Sequence, residues 1–343
     1  MKAVVCPRLS KTVDEALDAM QLTELPRPGA LEPNQVRVAV RAASINFPEL
    51  LMMTNKYQYK PPVPFVLCSE GAGVITEVGG SVKRFKVGEK VLFSFGTHGA
   101  AAEEVLVKES GQIWAMPDGM TFSQGAGYFM TYNTAYHGLV QRGALKAGEW
   151  LLVTGAAGGV GLAAVQLGKA LGAKVIAAAS SDEKLEVCKQ LGADFVVNYS
   201  KENLRDVVSK ITNKAFCDVI YEPVGGDVFD QCVRCVATGG GARLLVIGFA
   251  GGRIPTLPVN MALIKGFSLV GVRMGAQVGV QPHLLTEMMD ALLQLSKKGT
   301  LLPYVGAEYP MDKARAAFEL MQQRKVVGKC CIVVGPDSKT SKL

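Results

Sequence analysis

Six short apolar runs alternate with helical patterns between residues 150 and 272, and this alternation restricts the possible folds more than any other feature of the chain. The runs are residues 150–154, 175–178, 195–197, 219–221, 244–247 and 268–272. Apolar runs without polar–apolar alternation, joined by helices, are typical of parallel strands that helices cover on both faces. The segment therefore predicts an α/β fold with a doubly wound, six-stranded parallel sheet.

The segments on either side of this region carry different patterns. Residues 36–40 and 74–78 alternate apolar and polar side chains, which predicts a small, twisted, partly open β-barrel in the first part of the chain. Two amphipathic helices and the apolar strand 330–334 follow residue 273, which suggests that the tail returns to the first domain. The predicted domains are residues 1–125, 126–273 and 274–343, and the last includes a targeting tail.

Length and composition exclude several classes of protein. A chain of 343 residues is too long for one ordinary core. Its 49% hydrophobic and 20% charged residues fit neither a disordered chain nor, without a long apolar tract, a membrane span. The net charge of +7, from 37 basic and 30 acidic residues, is scattered along the chain, so it suits a small anionic ligand as well as a nucleic acid.

The cysteines and the two ends of the chain indicate the cellular compartment in which the protein is expected. Eight cysteines follow no disulfide spacing, which favours a reducing environment, and the first 20 residues lack the order of a secretory signal. The last three residues, Ser341-Lys342-Leu343, match a peroxisomal address when they form the free carboxyl terminus. We expect a peroxisome or a related organelle, with the cytoplasm as the alternative.

A glycine-rich turn, residues 155–161, lies directly between the first of the six strands and a helix. Small residues at this place let main-chain N–H groups approach a diphosphate at the helix N-terminus. The alternative is a tight turn that binds nothing, but the position in the first β-α step favours a dinucleotide. The predicted contacts are Ala156, Ala157, Gly158, Gly159 and Val160.

The end of the second strand indicates which dinucleotide binds. NAD-dependent enzymes place an acidic residue there, against the ribose hydroxyls, but this chain has Ala179-Ser180-Ser181. Asp182 comes later and could cap the next helix. Hydroxyls at Ser180 and Ser181, together with Lys184 and Tyr199, could meet a 2′-phosphate, so NADPH is predicted over NADH.

These motifs, taken in order, resemble the medium-chain dehydrogenase/reductase superfamily, and within it the zinc-free NADPH:quinone oxidoreductase, or zeta-crystallin-like, branch. The resemblance runs from residue 1 to about residue 335. It rests on residues 44–49, 70–79, 155–161, 222–226, 247–250 and 263–266.

The resemblance implies a GroES-like substrate domain and a Rossmann-like domain that binds NADPH. Asn46 resembles the asparagine near the nicotinamide ribose, Thr134 the threonine beside the nicotinamide ring, and Tyr57 a pocket tyrosine; these three are the expected catalytic residues. Many relatives have a tyrosine shortly after the asparagine, where this chain has Leu51, so an apolar side chain replaces a possible hydrogen-bond donor to a quinone. The remaining predicted cofactor contacts are Val224, Ile247, Phe249, Ala250, Val270, Val272 and Lys329.

The sequence predicts no metal site. Zinc alcohol dehydrogenases have a cysteine near Asn46 and a Gly-His-Glu motif where this chain has Cys68-Ser69-Glu70, so the set of ligands that zinc needs is not assembled. Cys232 and Cys235 form a C-x-x-C, but helical spacing places Cys232 on an apolar stripe and Cys235 off it, which favours packing over redox chemistry. His137 follows Thr134 by one helical turn and could be an acid, a cofactor contact or a packed residue.

The leading functional hypothesis is zinc-independent hydride transfer from NADPH to a quinone or a similar conjugated acceptor. One alternative is reduction of α,β-unsaturated ketones or enoyl thioesters. Another is a crystallin-like protein that binds NADPH and has a structural or RNA-binding role, although no basic run with interleaved aromatic residues supports RNA binding. The expected partners are therefore a small-molecule substrate and, because relatives pair through the strand at 267–272, a second copy of the chain.

Overall fold

The computed structural model describes residues 1–297 and 299–335, and its contacts divide the chain into two units. Of the described residues, unit 1 contains 1–129 and 302–335, and unit 2 contains the rest. Sequence reasoning places the return to the first domain at residue 274, whereas the structure places it at residue 302. The predicted targeting tripeptide lies outside the described residues.

The sheet of unit 2 has six parallel strands in the order β11-β10-β9-β12-β13-β14, as the sequence predicts. The strands are β9 (Trp150–Val153), β10 (Lys174–Ala179), β11 (Phe195–Asn198), β12 (Val219–Glu222), β13 (Ala242–Val246) and β14 (Phe267–Gly271). Strand order reverses between β9 and β12, and ligands of doubly wound sheets bind beside the carboxyl ends of the strands at such a point.

Helices surround this sheet. They are α4 (Phe129–Tyr136), which continues as a π-helix (His137–Arg142), α5 (Gly159–Ala170), α6 (Asp182–Gln190), α7 (Leu204–Ile211), α8 (Gly226–Cys235), α9 (Asn260–Lys265), α10 (Met274–Val280) and α11 (His283–Lys297). The central strands are buried: Leu151, Leu152, Val175 and Ile220 are fully inaccessible to solvent. This burial on both faces explains why the strands read as continuous apolar runs.

Unit 1 contains two sheets. A seven-stranded sheet runs β15-β16-β3-β5-β6-β8, with β7 on β3, and a three-stranded sheet runs β2-β1-β4. The strands are β1 (Lys2–Cys6), β2 (Gln21–Glu24), β3 (Gln35–Ile45), β4 (Phe65–Val66), β5 (Glu70–Val78), β6 (Lys90–Ser94), β7 (Glu104–Lys108), β8 (Ile113–Ala115), β15 (Val305–Pro310) and β16 (Lys329–Val333). Its helices are α1 (Val13–Ala19), α2 (Phe47–Met53), α3 (Phe122–Ala126) and α12 (Ala314–Gln322), which a 3₁₀ turn (Met311–Lys313) precedes.

The tail of the chain explains the misplaced boundary. Helix α11 buries Leu285, Met288 and Leu292, and Met289 Sδ lies 3.0 Å from Asn133 Nδ2 of unit 2. An amphipathic stripe predicts a helix but not the core that it covers, so the sequence could not assign α11 to unit 2. Strand β16 instead pairs antiparallel with β3, which places β16 in unit 1. No helix among the described residues is long and apolar enough to cross a membrane.

The turn after β5 offers a matched pair of substitutions. A Cβ at Gly79 would lie 2.4 Å from Glu32 O and 2.5 Å from Pro33 O, whereas a Cβ at Gly80 would meet no atom within 4 Å. We expect Gly79→Ala to lower the free energy of unfolding by about 1–3 kcal/mol, because the backbone must move. Gly80→Ala is the control, with a change within about 1 kcal/mol in either direction. Urea denaturation of both variants checks this, and equal destabilisation would contradict it.

Candidate functional site

The glycine-rich turn joins the end of β9 to the start of α5 by a close backbone approach. A Cβ at Gly161 would lie 2.4 Å from Gly155 O and 2.7 Å from Ala156 Cα. Only glycine at position 161 therefore allows the helix to pack against the turn this closely.

The first turn of α5 has open main-chain donors. Gly158 is the N-cap residue and has no side chain to accept these donors, while Leu162 N donates to Gly158 O at 2.8 Å. Of the five predicted contacts, Ala156 and Gly158 use their N–H groups internally, donating to Ala178 O and Gly155 O. The N–H groups of Ala157, Gly159 and Val160 have no acceptor among the described residues. Open amides and the helix dipole make this a place where an anion such as a diphosphate can bind.

A buried carboxylate holds the neighbouring loop beside this turn. Glu222 ends β12 and accepts hydrogen bonds from Thr154 Oγ1 at 3.2 Å, Val224 N at 2.8 Å and Gly225 N at 3.0 Å. Burial raises the pKa of Glu222, although these hydrogen bonds act in the opposite direction. Glu222 thus ties the carboxyl ends of β9 and β12 together, a role that sequence reasoning missed because an acidic residue in a motif does not reveal its burial.

The predicted 2′-phosphate residues lie at the carboxyl ends of β10 and β11. Ser180 is exposed, and Ser181 caps α6 because its Oγ accepts from Lys184 N at 3.4 Å. Tyr199 N donates to Ala179 O at 3.2 Å, so Tyr199 follows β11 beside the end of β10. The hydroxyl-bearing residues Ser180, Ser181 and Tyr199 therefore follow two adjacent strands, and Lys184 lies in the first turn of α6.

Asp182 is occupied by other contacts. Its carboxylate accepts from Lys201 Nζ and from Asn198 Nδ2, both at 2.6 Å. These two contacts, Lys201 first, lower the pKa of Asp182. The interpretation of Asp182 as a helix cap is wrong, because Ser181 occupies the N-cap position.

Most other predicted cofactor residues follow the carboxyl ends of β12, β13 and β14. Ile247 N donates to Glu222 O at 2.9 Å, Ala250 N to Pro223 O at 3.0 Å, and Val272 N to Val246 O at 3.0 Å. Phe249 is 37% exposed. The glycine turn and the predicted cofactor residues from 180 to 272 therefore all lie at the carboxyl-terminal end of the sheet. The predicted cofactor residues at or after β12, β13 and β14 are Val224, Ile247, Phe249, Ala250, Val270 and Val272.

Thr134 and His137 lie on α4 and the π-helix that continues it. Thr134 is half-buried and its Oγ1 donates to Met130 O at 2.6 Å. His137 is buried, and its Nδ1 lies 2.6 Å from Gln141 Oε1. His137 is therefore engaged within its own helix, in agreement with packing.

Unit 1 contains a buried polar cluster around Asn46, another predicted catalytic residue. We call it the Asn46 cluster, and it consists of Asn46, Glu49, Ser69, Glu70 and Lys329. Lys329 Nζ lies 2.6 Å from Asn46 Oδ1, 3.1 Å from Glu70 Oε1 and 3.3 Å from Ile45 O. Sequence reasoning assigned Lys329 to the cofactor, but its ammonium is directed into this cluster and the residue is 4% exposed.

Glu49, like Glu70, is fully buried. Its Oε2 accepts from Asn46 N at 2.7 Å, and its Oε1 accepts from Ser69 N and Ser69 Oγ, each at 3.1 Å. Burial raises the pKa of Glu49 from 4.5 to about 7, against the lowering effects of Lys329 and of these hydrogen bonds. Tyr57, the third predicted catalytic residue, is half-buried and packs against the core of unit 1.

The cysteines are all free and buried. Cys235 is fully inaccessible, so its predicted position off the apolar stripe is wrong. Cys235 is the last residue of α8, and its carbonyl oxygen accepts a hydrogen bond from Cys217 N at 2.9 Å. The segment at Cys217 therefore covers the last turn of this helix. The described residues contain no group of three or more His, Cys, Asp or Glu that could hold a metal ion.

The raised pKa of Glu49 predicts a pH-dependent stability. The folded state binds this proton more tightly than the unfolded chain, so the contribution of Glu49 is largest below pH 4.5 and is lost as pH rises to about 7. Glu49→Gln cannot ionise. We expect its free energy of unfolding, relative to the wild type, to improve by about 2 kcal/mol between about pH 5 and pH 8.

Chemical denaturation at both pH values measures this difference. The matched control is Glu287→Gln, which removes an exposed carboxylate and should change the free energy of unfolding by less than about 1 kcal/mol at both pH values. If the difference in the free energy of unfolding between Glu49→Gln and the wild type were the same at both pH values, the carboxyl group of Glu49 would have the same pKa in the folded and unfolded states, which would contradict the prediction.

Comparisons with known proteins agree with the two units. Residues 32–135 match the alcohol dehydrogenase GroES-like domain family, and residues 159–298 match the zinc-binding dehydrogenase family.

The chain is also similar to whole proteins along nearly its full length. Quinone oxidoreductase-like protein 2 homolog of Nematostella vectensis is 40% identical over 333 residues, covering 96% of this chain and 88% of the relative. Quinone oxidoreductase of Pseudomonas aeruginosa is 33% identical, covering 90% and 93%. The crystal structure of Escherichia coli quinone oxidoreductase complexed with NADPH superposes with a TM-score of 0.83 at 26% identity, covering 97% and 100%. The chain therefore belongs to the zinc-free quinone oxidoreductase family of the medium-chain dehydrogenases/reductases.

Proposed function

We propose that this protein is an NADPH-dependent oxidoreductase that reduces a quinone or a similar conjugated acceptor. The observation that carries the proposal is the open first turn of α5, where unused amides follow a turn that only small residues can form. NADPH, when bound, supplies a hydride from C4 of its nicotinamide ring.

The residues of unit 2 fit this cofactor. The amides of Ala157, Gly159 and Val160 would hold the diphosphate. Ser180, Lys184 and Tyr199 would receive the 2′-phosphate, since they follow the ends of β10 and β11 or lie in the first turn of α6, and no carboxylate ends β10. The half-buried segments after β13 and β14 would pack beside the nicotinamide and keep water from it.

The acid–base groups favour an acceptor that needs little proton transfer from the protein. His137 Nδ1 is bonded to Gln141, and His98 Nδ1 lies 3.0 Å from Thr97 Oγ1, with burial lowering the pKa of His98. The carboxyl groups of Glu49 and Glu70 are buried within the Asn46 cluster. A quinone suits such a site, because its reduced oxygen can take a proton from solvent, whereas an ordinary carbonyl would form an alkoxide that needs an electrophile.

A second candidate substrate is an activated C=C bond in an enone or an enoyl thioester. Leu51, half-buried on α2, favours it, because an apolar side chain stands where many relatives have a hydroxyl that could bind a quinone oxygen.

Substrate comparison with one preparation tests the proposal. We expect NADPH oxidation with 1,4-naphthoquinone, at a higher kcat/KM than with an enoyl thioester, and weaker activity with NADH. Gly161→Ala should raise the Kd of NADPH by about tenfold or more, because its Cβ would displace the turn. Gly275→Ala is the control, since its Cβ would meet nothing within 4 Å. Binding of NADPH without turnover of either acceptor would contradict the enzymatic assignment.

We also propose that two copies of the chain pair through the edge strand β14. This strand is last in its sheet, and Leu269 on it is 46% exposed. Apolar side chains next to it in sequence are more exposed still: Val259 84%, Leu263 83% and Ile264 71%. An unpaired edge beside exposed apolar residues is typical of an interface.

Negative charges introduced on this surface should prevent the two copies from pairing. We expect wild-type protein to sediment as a dimer at micromolar concentration and Leu263→Asp/Leu269→Asp to sediment as a monomer, because paired carboxylates oppose association. Val87→Asp, at a 61% exposed apolar position in unit 1, is the control and should remain dimeric. A monomeric wild type would overturn the pairing.

A further inference from the structure

Neighbouring strands place two opposite charges on either side of Asn46. Asn46 follows β3, which pairs with β16 on one side and β5 on the other. Ile45 lies opposite Cys330, and Ser44 lies opposite Glu70. Lys329, the first residue of β16, and Glu70, the first residue of β5, therefore flank the asparagine.

The carboxamide of Asn46 is held at both ends. Lys329 Nζ donates to Oδ1 at 2.6 Å, and Nδ2 donates to Glu70 Oε1 at 3.0 Å. The ring closes through the Lys329–Glu70 ion pair at 3.1 Å. An ammonium can only donate and a carboxylate can only accept, so the amide has one favourable orientation, with Oδ1 toward Lys329.

This pair is poorly suited to stabilising the fold and well suited to fixing geometry. The side chains of Lys329 and Glu70 are 4% and 1% exposed, and desolvation offsets most of the attraction in a buried pair. The stem of Lys329 is also confined, because a Cβ at Gly127 would lie 2.8 Å from Lys329 Cγ. The ammonium thus has little freedom to leave the carboxamide.

We propose that Lys329 and Glu70 are positioning residues that fix the Asn46 carboxamide, so that its second Nδ2 hydrogen is presented to an oxygen atom of a bound molecule. This inference rests on the proposed function. The second hydrogen has only a long contact with Ser69 Oγ, at 3.5 Å, which a closer oxygen can replace. That oxygen is either a ribose hydroxyl of the dinucleotide or the carbonyl of the acceptor, and the kinetic test separates the two.

The decisive variant removes both charges together. Lys329→Met alone leaves a buried carboxylate without its partner, a change that can by itself prevent folding. Lys329→Met/Glu70→Gln removes both partners of the pair, and Glu49, which loses the lowering effect of Lys329 on its pKa, is then held in its neutral form. We expect a melting temperature closer to that of the wild type than the melting temperature of Lys329→Met. The control, Arg37→Met/Glu104→Gln, neutralises another ion pair of unit 1 that also involves β3 and should keep wild-type kinetics.

The first measurement needs neither cofactor nor substrate. Hydrogen exchange of the Asn46 side-chain amide, followed by NMR and assigned with Asn46→Asp, should be slow in the wild type and about tenfold faster or more in the double variant. Unchanged exchange in the double variant would overturn the proposal.

The second measurement is kinetic. We expect kcat/KM for naphthoquinone to fall by about tenfold to a hundredfold in the double variant, since a small misplacement of a binding group has this effect. A raised Kd of NADPH assigns the oxygen to the ribose, whereas an unchanged Kd with altered kcat and KM for the quinone assigns it to the acceptor. Kinetics within about twofold of the wild type would overturn the positioning role. If the wild type neither binds NADPH nor reduces quinones, the proposed function fails, and the exchange measurement then decides the orientation of Asn46 alone.

Discussion

The approach of α5 to the end of β9 determines where unit 2 can bind a ligand. Gly161 lets the helix begin against Gly155 O, and this packing leaves the amides of the first turn without internal acceptors. Glu222 then holds the end of β12 beside the same turn through Thr154 and Gly225. A side chain at position 161 would move the helix, and with it the N–H groups of Gly159 and Val160, which have no acceptor among the described residues.

Unit 1 solves a different problem, because it buries charge. Glu49, Glu70 and Lys329 all lie in the interior, where an isolated charge is strongly disfavoured. Each is satisfied by a specific partner: Ser69 donates to Glu49, and Lys329 donates to Glu70 and to Asn46. A hydrophobic core would hold these strands as well, so the polar cluster is explained by the orientation that it imposes on Asn46 and Ser69.

The sequence predicts the parallel sheet and the glycine turn because both depend on local patterns. Runs such as Val175–Ala178 are apolar throughout since both faces are buried, and the turn is recognisable from its place between strand and helix. Burial of Glu222 and Glu49 could not be predicted, since an acidic residue carries no sign of the partners that another strand supplies. For the same reason the sequence did not predict the burial of Cys235 or the assignment of α11 to unit 2. In both cases, contacts with residues distant in sequence decide which side of the helix is covered.

The register of the strands in unit 1 determines where the side chain of Lys329 lies, and the sequence alone does not show this register. The sequence predicts Lys329 as a cofactor contact. Strand pairing instead places it opposite the end of β3, where the nearest oxygen atoms belong to Ile45, Asn46 and Glu70. A carboxamide that could rotate freely would lose entropy on each binding event, whereas one already held by an ammonium and a carboxylate has lost it on folding. The buried pair therefore acts on a bound molecule through the asparagine that it orients, without touching that molecule itself.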